Sequence, residues 1–296
     1  MGGGSGRIVA VLLFLLGTGL VAWLIYKVAS ERVDMAIRER QYYDLLRSVP
    51  EYKGRKYFQT SGKLIIALFE FRPLPEIRSV VNALLRIYSP QEIGLAIVHG
   101  TQNERFVREM FQDWRNVLLI NTGDFNHDGN TYSQRLQTPE LWERFVAFDF
   151  VLVTQCDALL LKQIPSEYYN YDYVGAPWAN PPLSHLGGGN GGFSLRRVSA
   201  MIKACEPNRR KKLQDIDLPH GHEDVFFSMQ PHMRYPRDKT LHRAFASETI
   251  FSPDPVGLHK CYAWIDEREQ WNHILENIKA KLLIDNENNN DSLRQQ

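Results

Sequence analysis

The 296-residue chain has few cysteines, almost no net charge and no internal repeat. Its three cysteines form no CxxC pair, which counts against a zinc cluster and allows one disulfide at most. The formal net charge is +1, so no nucleic-acid partner is expected from bulk electrostatics. With 44% hydrophobic and 23% charged residues, the chain is not mostly disordered and has enough apolar material for a core.

A glycine-rich nucleotide loop directly after the first predicted strand is also missing, because FRPLPEI (71–77) follows that strand. This counts against a nucleotidyltransferase. The later segment GGGNGGF (187–193) formally satisfies GxGxxG, but a loop sequence precedes it, whereas the dinucleotide fingerprint needs a strand before it and a helix after it. Because glycines let a backbone approach a ligand closely, this segment is either a mobile loop or the floor of a sugar or acceptor site.

The segment 8–26 is apolar and carries no charge. Because a helix needs about 20 apolar residues to cross a bilayer, a transmembrane anchor is predicted there, with a buried core helix and a cleaved signal peptide as alternatives. More Lys and Arg follow the segment than precede it, which by the positive-inside rule would leave the rest of the chain in the cytoplasm. The predicted organisation is a short tail (1–7), the anchor (8–26), a stem or linker (27–62), a folded domain (63–284) and a disordered tail (285–296).

Apolar runs typical of buried strands alternate with segments of helical periodicity from residue 63 onward. This alternation predicts an α/β fold with a parallel, doubly wound sheet, in which ligands bind beyond the carboxyl ends of the strands. Residues 70, 72, 99, 156 and 157 should then face one crevice. The predicted strands are 63–71, 94–99, 117–121 and 149–155. The predicted helices are 75–88, 101–110, 137–144, 198–205, 223–230 and 264–283, and little regular structure is expected over 165–192.

Two acidic motifs are candidates for chemistry. The strand 149–155 delivers Asp157 to the carboxyl edge of the sheet, where a divalent cation that bridges a diphosphate needs hard oxygen ligands; a helix or turn cap is the alternative. Glu223 and Asp224 precede an apolar helical stretch. They either cap that helix, whose N-terminus favours negative charge, or supply a general base that accepts a proton from an acceptor hydroxyl.

The motif GLHK (257–260) adds a histidine and a lysine. A single histidine is usually structural. Paired with Asp157, His259 could complete a metal site, and Lys260 could neutralise phosphate charge as a leaving group departs.

In their order along the chain, several segments resemble a domain-of-unknown-function family that is placed with the GT-A nucleotide-diphospho-sugar transferases. GNGGFSLR and HEDVFFS also resemble segments of the Fringe-like and β-1,3-glycosyltransferases, which are inverting, use Mn²⁺ and are type II membrane proteins of the Golgi. The segments that carry the resemblance are ALFEFRP (67–73), VHGTQN (98–103), QCD (155–157), YDYVGAPW (171–178), GNGGFSLR (189–196), HEDVFFS (222–228), FASETIF (245–251) and PVGLHK (255–260).

The resemblance implies a GT-A domain with a Rossmann-like, mixed, mostly parallel sheet. It implies transfer of a hexose from a nucleotide-diphosphate sugar, expected to be a UDP-sugar, to a hydroxyl of a glycan, protein or lipid. It also implies an inverting mechanism and Mn²⁺ or Mg²⁺ as cofactor. A single-pass type II protein of the Golgi or endoplasmic reticulum, with a luminal catalytic domain, follows from the resemblance but disagrees with the charges that flank 8–26.

Site residues are implied position by position. Asp224 matches the catalytic base, with Glu223 beside it, and the metal ligands are Asp157 and His259. Gln155 stands where many GT-A enzymes have the first aspartate of a DxD motif, so one metal carboxylate is missing. The donor-binding residues are Glu70, Arg72, Gln155, Asp157 and Lys260. The residues of the acceptor and sugar pocket are Trp178, Asn190, Gly191 and Gly192.

A second hypothesis is a non-catalytic, membrane-anchored sugar-binding protein on a decayed transferase fold. The missing DxD carboxylate supports it. The acidic pair at 223–224 and the motif at 259–260 speak against it, since a lectin needs neither.

Overall fold

The computed structural model describes residues 4–124, 129–206 and 221–284. A long helix, α1 (Gly4–Arg47), precedes the sheet. In the described part of the chain, no helix is both long and apolar enough to span a membrane. Most side chains of the predicted anchor lie outside the described residues, as does the predicted tail 285–296.

The main sheet has six strands in the order β3-β2-β1-β4-β7-β6. The neighbours β3, β2, β1 and β4 are parallel, whereas β7 pairs antiparallel with both β4 and β6. The predicted α/β fold with a mostly parallel sheet is therefore confirmed. The strands are β1 (Gly62–Phe69), β2 (Gly94–His99), β3 (Val117–Asn121), β4 (Phe148–Thr154), β6 (Tyr173–Ala176) and β7 (Asn190–Arg197).

The central strands are apolar because both of their faces are covered. Along β1, Ile66 and Leu68 belong to one core cluster and Ile65 and Ala67 to the other, as the alternation of side chains across a strand requires. The first cluster includes the apolar face of α2 (Glu76–Ile87), and the second includes buried residues of α5 (Pro139–Glu143) and α6 (Val198–Ala204). The remaining α-helices in the described ranges are α3 (Glu104–Met110), α4 (Gly129–Leu136), α7 (Glu223–Ser228), α8 (Lys239–Phe245) and α9 (Arg268–Ile278).

A second, three-stranded sheet lies beyond the carboxyl end of β4, in the order β5-β9-β8. Its strands are β5 (Ala158–Leu160), β8 (Ala246–Ser247) and β9 (Gly257–His259). Ala158 pairs with His259 across the antiparallel β5–β9 ladder. This register places Asp157, one residue before β5, beside the end of β9.

Two sequence predictions need correction. The segment 165–192 contains β6 and the start of β7, although little regular structure was expected there. A four-residue strand and a strand that begins in glycines carry too weak a pattern to be seen locally. The predicted final helix 264–283 is instead α9 followed by a π-helical turn, Lys279–Leu283. All three cysteines, Cys156, Cys205 and Cys261, are buried and free, so no disulfide forms.

The segment predicted as a stem, 27–62, contributes to the core. Tyr42 and Leu46 on α1 are fully buried, as is Phe58 in the following loop. The Arg47 guanidinium donates to the Glu76 carboxylate at 2.7 Å, tying the end of α1 to α2. The folded unit therefore includes the C-terminal part of α1, because apolar side chains at helical spacing pack against the sheet domain.

We expect Leu46→Ala to lower the free energy of unfolding by roughly 2–5 kcal/mol, because it leaves a cavity in the core. Urea unfolding followed by circular dichroism would measure the change. Val33→Ala on the exposed face of the same helix is the matched control and should cost less than about 0.5 kcal/mol. Equal, small effects for both variants would show that the end of α1 is not part of the cooperative unit.

Candidate active site

The carboxyl ends of β1, β2 and β4 lie side by side, because these strands are neighbours in the sheet. Glu70 follows β1 and is buried. Its carboxylate accepts from the Arg72 guanidinium at 2.8 and 2.9 Å and from the backbone N–H groups of Phe71 and Arg72 at 3.0 Å. The hydrogen bonds to Glu70 raise the pKa of Arg72. Glu70 therefore holds Arg72 at the sheet edge as a fixed cation, and the Arg72 side chain remains 58% exposed and open to an anionic ligand.

Three polar side chains converge where β4 and β9 end. The His259 Nε2 atom lies 3.3 Å from Gln155 Oε1 and 3.6 Å from Asp157 Oδ1. Asp157 Oδ1 is buried and has no hydrogen-bond partner among the described residues. The pairing of Asp157 with His259, predicted from the motifs, is thus present in the fold.

Glu248 is a member of this cluster that the sequence predictions missed. It follows β8, which runs parallel to β9, so it reaches the other side of the His259 ring. Glu248 Oε1 lies 3.4 Å from His259 Nδ1, and the side chain is buried. Burial alone would lower the pKa of the imidazole, but Glu248 and Asp157 outweigh it and raise the pKa. The segment FASETIF was part of the family resemblance, but only the β8–β9 pairing reveals what its glutamate contacts.

The glycines of β7 are required because functional groups lie against them. A Cβ atom added at Gly192 would collide with the His259 ring, and one added at Gly191 would collide with Glu223 Oε1. Asn190, half-buried, accepts a hydrogen bond from the Gly192 N–H at 2.9 Å and holds this stretch in shape. Two consecutive glycines are therefore packed, one against the acidic motif of α7 and the other against the histidine of the Asp157–His259 pair.

Glu223 is bound in a buried ion pair. Arg196 donates to Glu223 Oε2 at 2.7 Å and to Glu223 Oε1 at 3.0 Å, and both side chains are almost fully buried. The guanidinium also lies over the rings of Trp142, Tyr173 and Phe227. Glu223 therefore has a structural partner that the sequence did not suggest, and it is not available to accept a proton freely.

Asp224 is the more open of the two carboxylates. It is half-buried, and its Oδ1 atom accepts a hydrogen bond from the Val225 N–H at 2.8 Å. The residue at the N-cap of α7 is His222, whose side chain makes no capping bond, so neither acidic residue occupies the cap. Burial raises the pKa of the Asp224 carboxyl, partly offset by the Val225 N–H and by Arg196. A carboxylate with a raised pKa is suited to accept a proton near neutral pH.

Lys260 and Trp178 border this region. Lys260 is exposed, takes a left-handed backbone conformation (φ 46°), and donates its N–H to the Asp157 carbonyl at 2.8 Å. Trp178 is half-buried and follows β6. The Thr249 hydroxyl, next to Glu248, donates to the carbonyl of neighbouring Pro177 at 3.3 Å. The backbone of Lys260 is therefore joined directly to that of Asp157.

Across the described ranges, no group of three or more His, Cys, Asp or Glu side chains is arranged to hold a metal ion. The predicted ligands Asp157 and His259 are a pair, supplemented by the Gln155 amide oxygen. A cavity of about 490 Å³ opens elsewhere, beside Gly187 and Tyr235, and none of the predicted site residues lines it. The candidate site is thus defined by converging side chains and not by that cavity.

Comparison with known proteins gives one family match. A family model described as a protein of unknown function (DUF5672) matches residues 117–259, just under half of the chain. The match contains the ends of β4 and β9, the glycines of β7 and the acidic motif of α7. No curated protein matches the chain.

Comparison with solved structures finds glycosyltransferases at low similarity. Mouse xyloside xylosyltransferase 1 is 14% identical, with 71% of this chain and 99% of that one covered, at a TM-score of 0.47. The glycosyltransferase GlyE of Streptococcus pneumoniae TIGR4 is 14% identical over 76% of this chain, at a TM-score of 0.45, and the match spans 61% of GlyE. S. aureus TarS 1–349 is 13% identical, with 56% and 54% covered, at a TM-score of 0.34. Similarity at this level establishes no activity, so the function has to be inferred from the side chains of the site.

Proposed function

We propose that this chain is a glycosyltransferase that moves a hexose from a nucleotide-diphosphate sugar, a UDP-sugar, to a hydroxyl acceptor with inversion. One observation carries the proposal. Gly191 lies against Glu223, the chain neighbour of Asp224, and the adjacent Gly192 lies against the His259 ring. One stretch of β7 thus links the acidic motif of α7, in which burial raises the pKa of Asp224, to groups suited to a diphosphate.

Asp224 is the general base in this proposal. It accepts the proton of the acceptor hydroxyl as that oxygen bonds to the anomeric carbon of the donor. The bond from the anomeric carbon to the diphosphate oxygen breaks, and the nucleoside diphosphate leaves with the electron pair. Arg196 holds Glu223, and Glu223 in turn fixes the start of α7, so Asp224 is positioned before substrate binds.

A divalent cation fits the residues at the ends of β4 and β9. The buried, unpartnered Asp157 Oδ1 points to a missing partner, and it faces His259 Nε2 and Gln155 Oε1. One carboxylate, one imidazole and one amide oxygen suit Mn²⁺ or Mg²⁺ when substrate phosphates complete the set. Glu248 would hold the imidazole through Nδ1 so that Nε2 faces the ion. When bound, the ion would neutralise charge on the departing diphosphate.

Two cations of the chain can also neutralise the diphosphate. Arg72 is fixed by Glu70 at the end of β1, and Lys260 follows His259 directly. Both guanidinium and ammonium groups bind phosphate oxygens. Trp178 and the glycines of β7 would border the sugar and acceptor. The proposed acceptor is a hydroxyl of a glycan, protein or lipid. An N-terminal anchor over 8–26 with luminal placement stays a prediction.

The decisive experiment incubates the protein with a panel of UDP- and GDP-sugars, with Mn²⁺ or with EDTA, and measures released nucleoside diphosphate. Metal-dependent release from one donor is expected. Calorimetry with the same panel accompanies it. Binding of a nucleotide sugar without release over a panel of acceptors would favour the non-catalytic sugar-binding protein. The single carboxylate that the protein offers to a metal ion also favours that alternative. Absence of both binding and release would contradict both functions.

We expect Mn²⁺ to bind weakly alone and about 10- to 100-fold more tightly with UDP, because the protein supplies only one carboxylate and the diphosphate supplies further oxygens. Calorimetric titration of Mn²⁺ with and without UDP would measure this coupling. Asp157→Asn should abolish it. Asp254→Asn, at an exposed ion pair with Lys162, is the control and should leave it unchanged. Equal Mn²⁺ affinity with and without UDP would contradict a shared site.

A further inference from the structure

Tyr132 lies near both Gln155 and the acidic motif of α7, although it belongs to no motif that the sequence analysis identified. It is carried by α4, which packs against α7. Its ring meets the rings of Phe69 and Phe71 edge-on, with centroids 6.1 and 6.3 Å away. The aromatic body of Tyr132 is thus held by apolar contacts at the end of β1, and these contacts leave only the hydroxyl to be explained.

The Tyr132 hydroxyl oxygen is buried and has no hydrogen-bond partner among the described residues. It lies beside the Gln155 amide without hydrogen-bonding geometry, and the carboxylates of Glu223 and Asp224 are close enough to act on it. The positive charge of Arg196 also acts on the hydroxyl, in the opposite direction to the two carboxylates. The hydroxyl therefore has two neighbours in the candidate site. One is Gln155, which lies next to the Asp157–His259 pair, and the other is Asp224, the candidate base.

A buried hydroxyl without a partner is unfavourable, because it gives up its hydrogen bonds to water. The same ring contacts would be made by phenylalanine. The hydroxyl is therefore best explained by a partner that arrives with a ligand. Since two carboxylates lie nearby, an anionic phosphate is disfavoured at this point, whereas a neutral hydroxyl can both accept from the phenol and donate to a carboxylate or amide oxygen.

We propose that Tyr132 is a sugar-binding residue, whose phenol donates a hydrogen bond to a hydroxyl of the donor sugar. The proposal rests on the glycosyltransferase function proposed above. In this proposal the donor sugar binds near Tyr132, between Gln155 and Asp224. The nucleotide and diphosphate bind the groups at the ends of β1, β4 and β9.

The test is Tyr132→Phe, which removes the hydroxyl and keeps the ring. Calorimetry would compare the affinity for UDP with that for the UDP- or GDP-sugar that the wild type binds in the panel, GDP replacing UDP where a GDP-sugar binds. We expect sugar-nucleotide affinity to fall about two- to tenfold while the affinity for the free nucleoside diphosphate stays unchanged. The melting temperature without ligand should stay the same or rise, because an unpaired buried group is removed.

Tyr168→Phe is the matched control, because the Tyr168 hydroxyl donates to the Leu241 carbonyl at 2.9 Å. It should lower the melting temperature and leave the ratio of the two affinities unchanged. If Tyr132→Phe behaves like this control, the Tyr132 proposal is wrong. If the wild type binds no nucleotide sugar at all, the proposed function is wrong and the Tyr132 proposal is wrong with it. If the wild type binds one and Tyr132→Phe behaves like the control, only the Tyr132 proposal is wrong.

Discussion

Asp224→Asn should lower the transfer rate by about 10²–10⁴-fold and leave the fold intact, because it removes the general base and keeps the size of the side chain. The measurement is the initial rate of nucleoside-diphosphate release in the presence of acceptor, with the melting temperature as a check on folding. Asp149→Asn, an exposed carboxylate at the opposite end of β4, is the matched control and should keep the wild-type rate. A folded Asp224→Asn protein with full transfer activity would rule out this residue as the base.

The pH dependence of the wild-type rate tests the same assignment. A base works in its deprotonated form, and burial raises the pKa of Asp224. The rate should therefore be full above this raised pKa and fall as the pH drops through it, at a pH higher than the ordinary pKa of an aspartate. A rate that stays constant down to the ordinary aspartate pKa would contradict the assignment.

The second large effect concerns stability. Glu223→Gln leaves the Arg196 guanidinium buried without a carboxylate, and Arg196→Met leaves the Glu223 carboxylate buried without a cation. Each variant should lower the free energy of unfolding by roughly 3–5 kcal/mol. The double variant Glu223→Gln with Arg196→Met should cost less than the sum, because no unpaired charge remains and methionine keeps the apolar contacts with the surrounding rings.

Urea unfolding of the four proteins forms the double-mutant cycle. Asp254→Asn serves as the surface comparison. Asp254 is exposed and its partner Lys162 is half-buried, and losing such a pair should cost no more than about 1 kcal/mol. Single variants of Glu223 and Arg196 that unfold at the wild-type urea concentration would show that the pair does not support the fold. Glu223 would then be open to a direct part in catalysis.

Much of the sheet was predictable from local patterns. The strands 94–99 and 117–121 are observed with the predicted bounds, because buried parallel strands are continuous apolar runs. The alternation of such runs with helical periodicity also predicted the parallel sheet and the edge where its polar residues meet. The glycine-containing start of β7 was not predicted as a strand, because its conformation depends on neighbouring strands and not on its own composition.

The roles of the acidic residues were only partly predictable. The sequence identified Glu223 and Asp224 as a pair but could not tell them apart, because their difference depends on Arg196, which lies on β7. Glu248 and Tyr132 were missed for the same reason. Tyr132 lies in no motif, and Glu248 lies in the segment FASETIF, to which the sequence assigned no role. The contacts of both residues depend on partners that the fold brings close.

By itself, then, the sequence determined the type of fold, the edge of the sheet where ligands would bind, and most of the polar residues at that edge, since these follow from hydrophobic periodicity and from residue chemistry. Only the tertiary structure decided which carboxylate is bound to arginine and which is open, that Glu248 lies against His259, and that the end of α1 belongs to the core. These depend on strand order and register, which join residues about a hundred positions apart, such as Gln155 and His259.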